Sequence, residues 1–173
     1  MASARPSAHV VFVCTGNAAR SVMAGALLAS RLEWVRVTTA GTHVIEGQPV
    51  SWRTRQALEE LGLEVPWHRS HQLGPHDVAS ADLLVGLARE HVWWIRRNHP
   101  EASSRAATLA RLARYLPSGP APLPERLEAM GLAAAELEGW EDVEDPAGGD
   151  EEAFHRCARQ LEGLVGQLAR RLA

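Results

Sequence analysis

Val10, Val11, Phe12 and Val13 follow one another without a polar break and end at Cys14. A strand that is half buried alternates apolar with polar residues, so a continuous β-branched run predicts a strand buried on both faces. From Arg20 to Leu32 the period changes. Val22, Met23, Ala26, Leu27 and Leu28 recur at helical spacing behind Ser21, which predicts a helix. "WVRVTTAG" predicts a second strand that ends in a turn, and "PVSWRTRQALEELGL" a helix with Pro49 near its start and Gly62 as its stop. "ADLLVGLA" predicts a third buried strand, "REHVWWIRRNHP" a helix ended by Pro100, and "SSRAATLA" a weaker fourth strand. In the final segment Phe154, Cys157, Leu161, Leu164, Val165, Leu168 and Leu172 make one apolar stripe. Acidic residues open that segment and arginines close it, as a helix dipole favours.

Strands alternating with helices predict an α/β fold: one domain with a four-stranded parallel sheet and helices on both faces. Ligands in such sheets bind beyond the carboxyl ends of the strands, where Cys14 and Thr39 fall. Residues 1–8 read as a disordered tail and residues 9–173 as the domain. The proline-rich and then Ala/Leu/Glu-rich stretch 117–140 interrupts the rhythm and reads as an inserted loop with a short helix.

A length of 173 residues suits a single domain. The formal charge of -3 supplies no general attraction to nucleic acid or to an anionic membrane, and neither partner is expected. All 18 basic residues are arginine. Two cysteines are too few for a secreted disulfide framework, and neither a leader-like apolar segment nor a run of about 18 apolar residues is present. A cytoplasmic setting is expected.

The spacing of Cys14 and Arg20 changes this picture. A strand that ends at Cys14 and a helix that starts near Arg20 leave Thr15, Gly16, Asn17, Ala18 and Ala19 to turn the chain. Such a loop can aim its N–H groups inward as an anion nest, reinforced by the helix N-terminus. Gly16 and Asn17 most readily take the positive φ that this needs. The planar guanidinium of Arg20 can grip two oxygens of a tetrahedral oxyanion, above a thiol that the same donors favour as thiolate.

"VCTGNAARS" closely resembles the signature loop of low-molecular-weight protein tyrosine phosphatases, a family that includes bacterial protein-arginine phosphatases and relatives of arsenate reductase. "TAGT", "HRSHQL", "ADLLVGL" and "VEDPAGG" resemble further segments of the same family, from about Val10 to the C-terminus. The resemblance implies a metal-independent, cofactor-free reaction on a phosphorylated protein. In it Cys14 is the nucleophile, Arg20 and loop residues 15–19 hold the phosphate, and Asp145 is the general acid. Ser21, Thr39, His68 and Pro146 match supporting positions. The oligomeric state stays open.

Several positions depart from the family pattern. Ala19 replaces a second loop cysteine, Val22 a proline, and Ala88-Arg89 a Met-Asp pair. After Asp145-Pro146 stand Ala147, Gly148 and Gly149, where tyrosine phosphatases carry two tyrosines; this resembles the arginine-phosphatase branch. Ala18 replaces that branch's threonine. Hydrolysis of phosphotyrosine-type monoesters is the first expectation and protein-arginine phosphatase the alternative. Arsenate reduction with an external thiol and non-catalytic phosphate binding are further alternatives. Trp93 and Trp94 are expected in packing, while the sequence leaves open whether Trp52 and Trp67 lie nearer the cleft. Glu141, Asp142 and Glu144 read as a solvated run, His68 and His71 as possible surface histidines, and Cys157 as structural. The "EGQ" turn and residues 117–140 are candidates to wall the substrate slot.

Overall fold

β1 (Ala8–Cys14) is buried along its whole length in the computed structural model, which describes residues 8–173. The expected tail, residues 1–8, lies outside the described residues except for Ala8, which begins β1. Side chains alternate across the strand: Val10 and Phe12 enter one core and Val11 and Val13 the other. Both faces are therefore covered, and the strand needs no polar positions. α1 (Arg20–Ala29) and β2 (Val35–Gly41) follow, the helix stopping three residues short of the expected Leu32. α2 (Trp52–Glu60) starts behind Ser51, whose hydroxyl accepts from the Thr54 N–H.

α3 (Pro75–Ser80) precedes β3 (Leu83–Gly86), and α4 (Arg89–Asn98) follows it. β4 is only Ala106–Thr108, shorter than the expected strand. The Thr108 hydroxyl accepts from the Arg111 N–H and starts α5 (Leu109–Tyr115), so this N-cap turns the expected end of the strand into helix. α6 (Leu123–Glu128) and two 3-10 turns fill the inserted stretch, and α7 (Glu151–Leu172) closes the chain.

The sheet order is β2-β1-β3-β4 with every pairing parallel. Successive crossovers leave β1 in opposite directions, so the switch point lies between β1 and β3, at the end where Cys14 emerges. α1 and α7 belong to the larger core with Phe12 and Val85; Val78 of α3 and Ile95 of α4 belong to the core on the other face. The stripe on α7 is buried as expected, with Leu164 at its margin.

The acidic run before the last helix is solvated at Asp142 and Glu144 but not at Glu141. Glu141 is fully buried. It accepts from Thr108 Oγ1 at 2.7 Å, from Arg111 Nε and Nη2 at 2.8 Å each, and from the Glu138 N–H at 2.6 Å. Burial by itself would raise this carboxyl; the bonds from Arg111, Thr108 and Glu138 outweigh it and hold the group below its ordinary range. Asp142 forms a fork with Arg89, at 3.1 Å to Nε and 2.9 Å to Nη2 through one oxygen. These two pairs fasten residues 138–143 to β4, α5 and α4.

Glu141→Gln leaves Arg111 and Thr108 facing a neutral amide in a buried position. The expected loss is about 3 kcal/mol of unfolding free energy, measured by urea titration. A loss near zero would show that the pair is dispensable for holding this segment.

Candidate active site

Residues 15–19 turn the chain from β1 into α1 around Asn17. Its φ of 52° is the one positive value at a non-glycine position among the described residues. Asn17 is fully buried. Its Oδ1 faces the His71 N–H at 2.9 Å, and since an N–H only donates, the amide orientation is settled. Nδ2 then donates to Ser21 Oγ at 2.9 Å and to Thr39 Oγ1 at 3.0 Å. Ser21 Oγ lies 3.0 Å from Cys14 Sγ, a geometry in which the hydroxyl can donate to a thiolate. His68 donates Nε2–H to the Asn17 carbonyl at 2.8 Å, and burial lowers its pKa, which favours the neutral ring. Ser21, Thr39 and His68 thus converge on one asparagine.

The loop backbone is held from outside as well. Cys14 O accepts from the Thr42 N–H at 2.9 Å, Thr15 O from the His43 N–H at 3.0 Å, and Ala18 O from Thr54 Oγ1 at 3.0 Å. A Cβ at Gly41 would lie 2.5 Å from Thr15 O, so the end of β2 passes too close for any larger residue. Gly16 has open space beside it.

Arg20 is 3 % exposed. Its Nη1 donates to the Val143 carbonyl at 3.1 Å, and its Nη2 lies 3.3 Å from Asp145 Oδ2. The arginine at the start of α1 and the acid before α7 therefore meet, and the acid is half exposed toward the cleft. Asp145 Oδ1 accepts from the Ala147 N–H at 3.0 Å, and the Gly149 N–H donates to Pro146 O at 2.9 Å. A Cβ at Gly149 would sit 2.7 Å from the Ala153 Cβ, so this turn is tight. Pro146 itself is buried.

His91 was not singled out by the sequence, yet it is fully buried under the loop. Nδ1 accepts from the Ala88 N–H at 3.0 Å, which leaves Nε2–H to donate to Thr15 Oγ1, also at 3.0 Å. Burial pushes its pKa down to about 3, with Arg20 adding to the effect. A lone histidine at the start of a helix carries no pattern that marks this role. Thr54 was likewise hidden, as one polar residue within an amphipathic helix.

Other expectations need correction. Trp93 is not packed away: it is half exposed and lines a cleft of about 370 Å³ with Arg20, Glu90, Asp142 and Asp145. Trp94 does pack against the second core. Trp67 is the most exposed of the large apolar residues, at 88 %. Stretch 117–140 does not wall the slot with its middle part. Residues 124–134 instead border a cavity of about 630 Å³ with Ala81, Asp82 and Arg105, before the first residues of β3 and β4 and therefore at the opposite edge of the sheet. The His71 ring is half exposed and bonds Asp77 at 2.9 Å; only its backbone touches Asn17. Cys157 is buried and its thiol is pushed up to about 12, chiefly by burial. Among the described residues no group of three His, Cys, Asp or Glu side chains is arranged to hold a metal ion, and no helix is long and apolar enough to cross a membrane.

His91 gives the site an acid dependence. Its folded pKa lies far below the ordinary 6.5, so below pH 6.5 the unfolded chain binds a proton that the native site refuses. Stability is fully retained above 6.5 and is lost as pH falls toward about 3. Between pH 7.5 and pH 5 the loss amounts to about 2 kcal/mol. His91→Asn should show a shallower fall by that amount in denaturant titrations at the two pH values. Equal falls would contradict a buried neutral ring.

The sequence profile described as low molecular weight phosphotyrosine protein phosphatase matches residues 9–122. A protein-arginine-phosphatase of Geobacillus stearothermophilus is 32 % identical over 165 residues, covering 95 % of both chains. Low molecular weight protein-tyrosine phosphatase A of Mycobacterium tuberculosis is 36 % identical over 178 aligned positions, covering 95 % of this chain and 94 % of its own. The solved YwlE arginine phosphatase from G. stearothermophilus superimposes with a TM-score of 0.77 at 31 % identity, over 95 % of this chain and 92 % of that one. With such likeness running nearly end to end, through tyrosine and arginine phosphatases of one fold, this chain belongs to the low molecular weight phosphotyrosine protein phosphatase family.

Proposed function

We propose that the protein hydrolyses phosphorylated side chains of other proteins through a phosphocysteine intermediate. The observation that carries this reading is the approach of Asp145 to Arg20 at 3.3 Å, beside a loop whose Cys14 Sγ lies 3.0 Å from Ser21 Oγ. Acid, anion clamp and nucleophile are then within one substrate's reach. A lone pair on Cys14 Sγ forms the S–P bond as the bond from phosphorus to the leaving atom breaks. Asp145 gives its proton to that atom, which takes the bonding electron pair. Arg20 and the N–H groups of residues 15–19 bind the equatorial oxygens, where charge gathers in transit. Water then attacks phosphorus, Asp145 accepts its proton, and the S–P bond returns its electrons to Cys14. The buried Asn17 supports this by fixing Ser21, which steadies the thiolate in both steps.

Phosphotyrosine is the first substrate reading, in keeping with the family and its mycobacterial member. One observation favours phosphoarginine as the second. The turn Asp145–Gly149 carries only Pro146, Ala147, Gly148 and Gly149 after its acid, so it offers no aromatic wall for a phenyl ring. An internal thiol relay of the reductase kind gains no support, because the other cysteine is buried with a thiol held protonated at working pH.

Matched phosphotyrosine and phosphoarginine peptides in EDTA test the reading by phosphate release. Cys14→Ser should abolish turnover, and Asp145→Asn should lower kcat by roughly 10²- to 10⁴-fold with KM little changed. Retained activity in Cys14→Ser would exclude the phosphocysteine path. Tight phosphopeptide binding with no release by the wild type would turn the reading toward a binding protein.

A further inference from the structure

Glu90 stands at the mouth of the phosphate loop, although no step of the proposed reaction uses it. The hydrogen bonds leading to it run in one direction. The Ala88 N–H can only donate, so His91 accepts at Nδ1 and carries its proton on Nε2. Nε2–H donates to Thr15 Oγ1 at 3.0 Å, which leaves the threonine proton for Glu90 Oε1 at 3.4 Å. His91 is fully buried and keeps its neutral form at working pH, so the chain does not reverse. The same Glu90 oxygen lies 4.0 Å from Arg20 Nη2, which also faces Asp145 at 3.3 Å.

No other cation relieves this arrangement. Arg89, the adjacent residue, closes its fork on Asp142 at 2.9 Å. Glu144 and Asp145 border the same cleft. Arg20 must therefore neutralise a phosphate dianion while Glu90 and the acid Asp145 share its Nη2 edge. With Asp145 protonated for its role as acid, the Glu90 carboxylate is the charge that repels the dianion of any substrate. Substrates differ in what stands next to phosphorus. The phenol of phosphotyrosine brings no charge, whereas a phosphorylated guanidinium brings a positive charge and N–H donors to that edge.

We propose that Glu90 is a specificity-determining residue, held by the His91–Thr15 chain so that it shifts the selectivity of the site toward phosphoarginine and away from phosphotyrosine. The inference rests on the phosphoarginine reading above. Because the Glu90 side chain is 63 % exposed, solvent screens it and the preference it confers is modest, about threefold to tenfold.

The test compares wild type with Glu90→Gln on phosphoarginine and phosphotyrosine peptides of identical flanking sequence, at low salt and in EDTA. The ratio of kcat/KM for phosphoarginine to that for phosphotyrosine should fall about threefold to tenfold, through a loss on the first and a gain on the second. Inorganic phosphate should bind Glu90→Gln more tightly in calorimetry, because a repelling carboxylate has gone. Equal falls on both peptides, or an unchanged ratio, would make Glu90 merely structural and overturn the proposal. If wild type cleaves neither peptide, the hydrolytic reading fails and binding decides the inference. Cys14→Ser must then hold the phosphoarginine peptide more tightly than its partner, and adding Glu90→Gln must remove that preference; without that result the inference falls too.

Discussion

Asn17 is placed where an asparagine is costly by itself, with a left-handed backbone and a fully buried amide. It persists because every polar atom of its side chain is used: one oxygen by the His71 N–H, one nitrogen by Ser21 and Thr39 together. A buried amide with a partner missing would cost roughly 1–3 kcal/mol. Satisfied, it ties β2, α1 and the segment before α3 to the one turn that must keep its N–H groups pointing inward. The nest, the orientation of the Ser21 hydroxyl and the environment of Cys14 all depend on this residue holding its place.

A second constraint governs the acid. Asp145 lies on a turn whose exposure alone would let it wander. The chain just before it is fixed at three points: Glu141 on Arg111 and Thr108, Asp142 on Arg89, and Val143, whose N–H donates to Leu87 O at 2.9 Å while its carbonyl receives Arg20. The tether is therefore stiff up to Val143 and loosens only in the final residues. That division suits the role proposed for Asp145, to approach a leaving atom and later a water at the same centre. Arg20 belongs to both constraints, since its Nη1 holds the tether and its Nη2 faces the site.

The departures from the family pattern are also legible in these contacts. Arg89, which stands where other members carry an acid, is engaged by Asp142 from across the cleft, so an ion pair is present there with its acid on the other chain segment. Ala147 and Gly148 stand where the family pattern has tyrosines, and the turn is crowded only one residue on, where a Cβ at Gly149 would meet Ala153. The aromatic that does border the cleft is Trp93, on α4 and over Arg89.

The sequence by itself determined the sheet, because strands covered on both faces must be apolar along their covered length, as Val10–Val13 of β1 and Leu83–Val85 of β3 are. It determined the nest too, since a strand, a Gly-Asn turn and an arginine at a helix start leave the chain little else to do. The bounds of the expected β4 and the presence of α3 escaped it. β4 has three residues, and its far end was decided by the Thr108 cap; α3 has six residues and too few turns to display a period. The acidic run before α7 looked solvated because charge patterning cannot tell an exposed carboxylate from one facing a buried arginine. Only the tertiary structure decided that Glu141 is inside, that His91 reaches Thr15, and that Glu90 borders Arg20. Each of these contacts joins segments tens of residues apart through single side chains. Periodicity reports which face a residue lies on, and the partner waiting at that face is set by how the elements pack.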